Sequence, residues 1–284
     1  MKPSLCKVIA IALLICLAKC LNAQTILRTL NVESKLYTGA GDKQPLIVGL
    51  GGSEGGNAWA SSHWKDIRDK FIEKGYAFLA VQYFGGNGTP DSMDRISIND
   101  VHTAIEEAAK NNKVDKSKIA IIGGSRGGDL ALVLASYYKD IHCVVAIVPS
   151  SVAFPANTAD FSTSAWVYNG KQLPFVPVNE EAVPFLMKGN LRGAFEAMLK
   201  DSIAVAQAQI KVENIHGPVL LLSATKDEIS PSTPMCENMI AKLQANKFAY
   251  PYKHISIEGG HTEPLKHFDL VFDFLDESFA VGAQ

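Results

Sequence analysis

The sequence predicts an α/β fold: a mostly parallel central sheet with helices on both faces and a cap inserted late in the chain. Three observations predict it. Ile119 to Ile122 is an apolar run without alternation, as in a strand buried on both faces, and it leads through Gly123-Gly124-Ser125-Arg126-Gly127 into an apolar-rich helix start. Strand-like and helix-like segments then alternate along most of the chain, the pattern of parallel strands joined by crossover helices. Finally, the turns after four of the expected strands hold Gly51 to Gly56, Ser125, Asp227 and Gly259-Gly260-His261. In a parallel sheet those turns share one edge, where ligands bind.

Residues 1–23 read as a cleaved signal peptide. Lys2 and Lys7 precede the apolar run Val8 to Ala18, which is short for a membrane span, and Leu21-Asn22-Ala23 offers a small residue before Gln24. An exported, periplasmic or secreted protein is expected. Residues 24–44 form a short N-terminal segment, with a weak strand candidate at Thr25 to Leu30 and a polar, glycine-bearing link through Lys43. Residues 45–284 form the main domain. Leu46 to Leu50 is its first buried strand. Trp64, Ile67, Phe71 and Ile72 then recur at helical spacing within Trp59 to Lys74. Ala77 to Phe84 is the next strand, and Ile96 to Asn111 a helix with Val101, Ala104, Ile105 and Ala108 on one face. The Ile119 strand, a helix from Asp129 to Ser136 and a strand from Cys143 to Val148 follow. About 150–217 is irregular and is expected to be the cap. Alternation resumes with the strand Val219 to Ser223, the helix Pro234 to Gln244, the strand His254 to Ile257 and a last helix from Pro264 to Phe279.

Composition narrows the function classes. The 284 residues are 47% hydrophobic and 20% charged, an ordinary globular balance. Lys plus Arg number 27 against 29 Asp plus Glu, with no basic stripe, so nucleic acid is not an expected partner. Stable membrane insertion is not expected after signal cleavage. Beyond the signal segment only Cys143 and Cys236 remain, Cys143 in an apolar run that suggests a buried thiol. No C-x-x-C or Cys/His cluster occurs, so no metal and no cofactor is expected.

The G-x-S-x-G turn carries the chemistry. Between a strand and a helix, it holds its serine in a strained, exposed conformation, whereas its bland reading is a glycine-rich βα turn that binds phosphate or merely packs. A serine nucleophile needs a base and a carboxylate to orient that base. Of seven histidines, His261 follows a strand and two glycines; His267 is the reserve. Asp227 follows the Val219 strand after a short turn, with adjacent Glu228 as the competing acid. Asp129, in the first turn of a helix, is expected to be structural. The order serine, acid, histidine is that of an α/β-hydrolase fold. The oxyanion donors should be the backbone N–H of Arg126 and one from the glycine loop, at Gly52 or Ser53. That loop lacks the Lys-Ser/Thr ending of a phosphate-binding P-loop.

Taken together, LGGSEGG (Leu50 to Gly56), VDKSKIAIIGGSRGG (Val114 to Gly128), SATKDEISPS (Ser223 to Ser232) and GGHTEP (Gly259 to Pro264) resemble the C-terminal catalytic domain of the acyl-CoA thioesterase and bile-acid-CoA:amino-acid N-acyltransferase family. SAWVYNGKQLPF (Ser164 to Phe175) looks like that family's insertion, and the dienelactone-hydrolase-like group shares the general plan. The resemblance implies a nucleophile at Ser125, an acid at Asp227 and a base at His261. It also implies a small-molecule acyl ester or thioester as substrate. Serine at the nucleophile position is similar to the thioesterases, while the conjugating members carry cysteine, so hydrolysis is expected ahead of acyl transfer. A non-catalytic binding protein of the same fold is the remaining alternative. The cap residues Phe161, Trp166, Tyr168, Phe175, Phe185, Met187 and Phe195 are candidates for an acyl pocket or for the cap's own core.

Overall fold

A computed structural model describes residues 23–279. Apart from Ala23, the segment assigned to a signal peptide lies outside them. Two strands, β1 (Ala23–Thr29) and β2 (Val32–Thr38), form an antiparallel hairpin. β2 falls where the sequence suggested a polar link. Its buried positions Val32, Ser34, Leu36 and Thr38 alternate with less buried ones. Half of that alternation is carried by small hydroxyl residues, which conceals it from an apolar pattern.

Six parallel strands make up the rest of the main sheet: β3 (Gln44–Leu50), β4 (Ala77–Gln82), β6 (Val114–Gly124), β7 (Cys143–Ile147), β10 (Val219–Ala224) and β11 (Tyr252–Ile257). β5 (Ile96–Ser97), β8 (Trp166–Tyr168) and β9 (Lys171–Gln172) form a small separate sheet. The main sheet runs β1-β2-β4-β3-β6-β7-β10-β11. Its continuous apolar strands serve two cores at once. Ile119 and Ile121, Val144 and Ala146, and Val219 and Leu221 enter the core on one face. Ala120 and Ile122, Val145 and Ile147, and Leu220 and Leu222 enter the core on the other. Period-two side-chain placement with both faces covered removes the polar alternation.

The first core is covered by α2 (Ile98–Ala109), α3 (Arg126–Tyr137) and α7 (Ser232–Ala245), and the second by α1 (Lys65–Glu73) and α8 (Phe268–Ser278). Two of these helices are shorter than their periodicity suggested. A 3-10 turn at Ala58–Ala60 precedes α1, so Trp59 packs without belonging to it. Another at Glu263–Lys266 precedes α8, so His267 caps the last helix rather than lying within it. The start of α2 is set by Ser97, whose Oγ accepts the Asp100 N–H at 3.2 Å, a side-chain cap.

Between β7 and β10 lie the small sheet's strands β8 and β9 and three short helices, α4 (Val183–Met187), α5 (Leu191–Met198) and α6 (Ser202–Ala208). Val152, Phe154, Val176 and Met198 form a third core there, shared with Met235 of α7. Among the described residues, no helix is long and apolar enough to cross a membrane. Cys143 and Cys236 are buried and free.

Backbone packs very tightly where β6 turns into α3. A Cβ on Gly123 would lie 2.0 Å from the Gly127 carbonyl oxygen, a backbone atom with nowhere to retreat. Gly123→Ala should therefore cost about 3 kcal/mol or more in denaturant unfolding, or prevent folding outright. Gly170, at φ +75° with open space around it, provides the contrast. Gly170→Ala meets no atom and should cost only about 1 kcal/mol, from its left-handed backbone.

Candidate active site

The carboxyl ends of β3, β6, β10 and β11 bring Gly51, Ser125, Asp227 and His261 to one edge of the sheet, as expected for parallel strands. Ser125 sits at φ +53°, ψ −125°, a conformation unfavourable for a residue with a side chain, and its N–H donates to the Ile147 carbonyl at 2.8 Å. Glycines make room for it. A Cβ on Gly127 would lie 2.4 Å from the Gly51 carbonyl oxygen and 2.6 Å from that of Leu50. The turn is therefore wedged against the end of β3.

His261 and Asp227 are joined directly, Nδ1 to Oδ1 at 2.8 Å. The bond fixes the imidazole hydrogen on Nδ1 and leaves the Nε2 lone pair available. Asp227 is fully buried, and its other contacts orient the carboxylate. Oδ1 accepts from the N–H groups of Ile229 and Ser230, each at 3.0 Å, and Oδ2 from Ser232 Oγ at 2.6 Å. Burial works to raise this carboxyl, but the bonds from His261, Ser232 and Ser230 outweigh it and hold it below the usual aspartate range. Glu228 has a different task. It is exposed, and its Oε2 accepts the His261 backbone N–H at 2.9 Å. A Cβ on Gly260 would come within 2.7 Å of that oxygen, so the glycine is what lets Glu228 approach. His267 is paired at 3.8 Å with Glu263 instead of with either acid.

The glycine loop is held from below. Tyr83 donates its hydroxyl to the Gly51 carbonyl at 2.6 Å, and the Gly56 N–H donates to Phe84 O at 2.9 Å. Of the two expected donor positions, the Gly52 N–H is bonded to Glu54 Oε1 at 3.0 Å. Ser53 lines both cavities that meet at Ser125. The Arg126 N–H is the first amide of α3, ahead of the Gly128 and Asp129 amides that donate to the Ser125 carbonyl, and so precedes the helix's own acceptors.

One cavity, of about 260 Å³, runs beneath the cap, walled by Phe154, Phe161, Leu186, Phe195 and Met198. Of the aromatic candidates, Phe161 and Phe195 line it. Trp166, Tyr168 and Phe175 pack on the main core instead, because β8 pairs with β5 and draws this part of the cap under the sheet. Met187 is 84% exposed and Phe185 39%. Phe154 was not among the candidates; its run, Val152 to Phe154, carried a signal only as an apolar patch after β7.

The side chain of Arg126 and that of Asp129 close the base of this cavity. Both are buried and pair at 3.3 Å. Arg126 also donates to Pro155 O at 2.9 Å, and Asp129 accepts the Ser150 N–H at 2.7 Å. These bonds tie the cap to the Ser125 turn, so Asp129 does more than face a helix dipole. Burial pushes its carboxyl up to about 6, against the pull of Arg126, Ser150 and His261.

A strained serine on a strand–turn–helix, with a His–Asp pair in the turns after later strands of a mostly parallel sheet, defines the α/β-hydrolase class. Residues 101–264 match the family described as BAAT / Acyl-CoA thioester hydrolase C terminal, and residues 19–162 match an alpha/beta hydrolase family of unknown function. The chain belongs to the BAAT / acyl-CoA thioester hydrolase C-terminal family. Acyl-coenzyme A thioesterase 1 of Rattus norvegicus is 26% identical over 188 residues, 66% of this chain and 42% of that protein. Bile acid-CoA:amino acid N-acyltransferase of Mus musculus is 26% identical over 207 residues, 71% of this chain and 44% of that one. The chain thus spans less than half the length of these relatives. Among solved structures, an esterase from Pyrococcus furiosus has a TM-score of 0.59 at 16% identity, covering 90% of this chain and 93% of its own. Acylaminoacyl peptidase from Pyrococcus horikoshii has a TM-score of 0.64 at 14% identity, over 95% of this chain and 44% of its own. Both show the shared fold.

The raised Asp129 carboxyl has a consequence for stability. Between about pH 4, where an unfolded aspartate titrates, and about pH 6 the folded chain keeps this proton and the unfolded chain has lost it. Folding stability from this group is therefore full below that window and is lost as pH rises through it. Relative to Asp129→Asn, the parent protein should lose up to about 3 kcal/mol between pH 4 and 6. Paired urea titrations across that range check the sign: a stability difference that is flat, or that grows in the parent's favour, contradicts it.

Proposed function

We propose that this protein is a serine-dependent hydrolase that cleaves acyl thioesters or carboxylic esters through an acyl-enzyme on Ser125. The observation that carries this reading is the strained Ser125 standing at the junction of an apolar cavity and a second cavity that reaches His261. In this reading His261 Nε2 takes the Ser125 proton as the hydroxyl attacks the acyl carbonyl. Asp227 orients the ring and stabilises the imidazolium that forms. Negative charge then develops on the carbonyl oxygen. The backbone N–H groups of Arg126 and Ser53 are assigned to it, since that of Gly52 is engaged by Glu54. Collapse expels the leaving group, which takes the proton from His261, and water reverses the sequence on the ester. The apolar cavity under the cap holds the acyl chain. Export, assigned from the composition of residues 1–23, would place this activity outside the cytoplasm. Serine at the nucleophile favours hydrolysis, and acyl transfer to an amine or alcohol is the second reading, because the family also contains conjugating members.

Fluorophosphonate labelling together with hydrolysis of a chromogenic ester tests the reading. Ser125→Ala should abolish labelling and lower kcat by a factor on the order of 10⁴ or more while leaving the unfolding transition in place. Undiminished turnover in that variant would refute the assignment. Asp227→Ala should cost more activity than Glu228→Ala, because only Asp227 touches the imidazole.

The cap cavity makes a separate prediction about the acyl chain. Each methylene buried there should add about 0.8 kcal/mol of binding, roughly fourfold in kcat/KM, until the cavity is full and the trend levels off. A kcat/KM series from acetyl to octanoyl esters measures it, and an unchanging value along the series would show that the cavity does not receive the chain.

A further inference from the structure

The second cavity, about 390 Å³, opens on the other side of Ser125 and takes in His261, so it is where a leaving group would lie if Ser125 is the nucleophile. Its lining carries one carboxylate, Glu54, and two indoles, Trp59 and Trp64, whose rings lie 4.7 Å apart at 32°. Among the described residues that line it there is no lysine or arginine. Nearby cations on the same edge have acidic partners: Lys226 with Glu258 at 2.7 Å, Lys266 with Glu263 at 2.7 Å, and Arg192 with Glu196 at 2.9 Å.

Glu54 is exposed, yet it is not free to point away. Its Oε1 is pinned by the Gly52 N–H, and the missing side chain of Gly52 lets the carboxylate sit close to the nucleophile. A Cβ on Gly52 would lie 2.8 Å from Glu54 Oε2 and 3.5 Å from Ser125 Cβ. A fixed negative charge there opposes the negative charge that develops on the acyl carbonyl during attack. It also repels an anionic leaving group, above all the polyphosphate of coenzyme A. A cation in the leaving group reverses both effects, and the half-buried ring of Trp64, with the buried Trp59 packed behind it, attracts a desolvated ammonium as well.

We propose that the Glu54–Trp59–Trp64 cavity is a subsite for a cationic leaving group, so that the preferred substrates are acyl esters or thioesters of an ammonium-bearing alcohol or thiol. The inference rests on Ser125 as nucleophile. It gives Glu54 a specificity role in place of a purely structural one as a brace for the glycine loop.

Three butyryl thioesters of one acyl chain test it: butyrylthiocholine, its neutral S-(3,3-dimethylbutyl) isostere, and the anionic 3-mercaptopropanesulfonate thioester, with butyryl-CoA alongside. Thiol release by the purified protein at low salt should give kcat/KM in the order cationic, neutral, anionic, with the cation ahead of its neutral isostere by about five- to tenfold. Raising salt should compress that ratio, since an exposed carboxylate is screened. Glu54→Gln should bring the cationic-to-neutral ratio close to one. A loss confined to bracing the loop would lower all rates and leave the ratio intact. Equal rates for the three thioesters, faster turnover of the sulfonate or of butyryl-CoA, or a ratio unaltered in Glu54→Gln would each overturn the proposal while Ser125-dependent turnover stands. Absence of both neutral-thioester turnover and Ser125 labelling would overturn the nucleophile assignment and the subsite with it.

Discussion

Close packing of bare backbone around Ser125 is the constraint on which the rest of the site depends. Gly123 meets Gly127, and Gly127 meets the carbonyls of Leu50 and Gly51, all at distances no Cβ tolerates. Three elements, the end of β6, the start of α3 and the end of β3, are thereby locked together without an intervening side chain. That contact is what allows a serine to hold φ +53°, since strain of this kind persists only where the surroundings over-determine it. The same wedge sets the distance between the Ser125 turn and the glycine loop.

A second layer of polar bonds joins the cap to this turn. Arg126 reaches the carbonyls of Phe154 and Pro155, Asp129 accepts from Ser150, and Arg192 of α5 donates to the Asp227 carbonyl at 2.6 Å. The cap is therefore anchored near its start, and again at α5, to residues beside Ser125 and Asp227. A buried Arg–Asp pair is an expensive anchor when one member is removed, because the survivor's charge is left uncompensated. Arg126 and Asp129 are also the charged residues in the lining of a cavity whose other walls are largely apolar.

The two adjacent acids Asp227 and Glu228 divide the work on one histidine. Asp227, buried and fixed by backbone and hydroxyl donors, holds the ring; Glu228, exposed, holds the main chain of the same residue. The short spacing between Asp227 and Ser232 makes this possible, since the loop folds back so that Ser230 and Ser232 donate to the carboxylate. Across the cleft Glu54 plays a comparable part toward Gly52. Carboxylates bonded to backbone amides thus frame Ser125 on both sides.

The sequence by itself determined the layered α/β architecture, because uninterrupted apolar strands and one-sided helices admit few other arrangements. It also determined which turns share an edge, since parallel strands put Gly51, Ser125, Asp227 and His261 at their carboxyl ends whatever the loops do. It did not reveal β2, whose inward positions include Ser34 and Thr38, because hydroxyl residues do not register in an apolar pattern. It favoured Asp227 over Glu228 by loop position and resemblance but could not show the difference between them: neighbours in the chain point in different directions, and the path of the loop is what brings Asp227 to the imidazole. The division of the cap aromatics between cavity and core was likewise hidden. Trp166 and Phe195 look alike in composition, but the pairing of β8 with β5 buries one under the sheet while α5 leaves the other over Ser125. Likewise, the bond between Glu54 and Gly52 exists only because a folded loop brings that carboxylate onto a neighbouring amide. Periodicity reports which face a residue shares with the solvent or the core, and tertiary structure alone decides what stands opposite it.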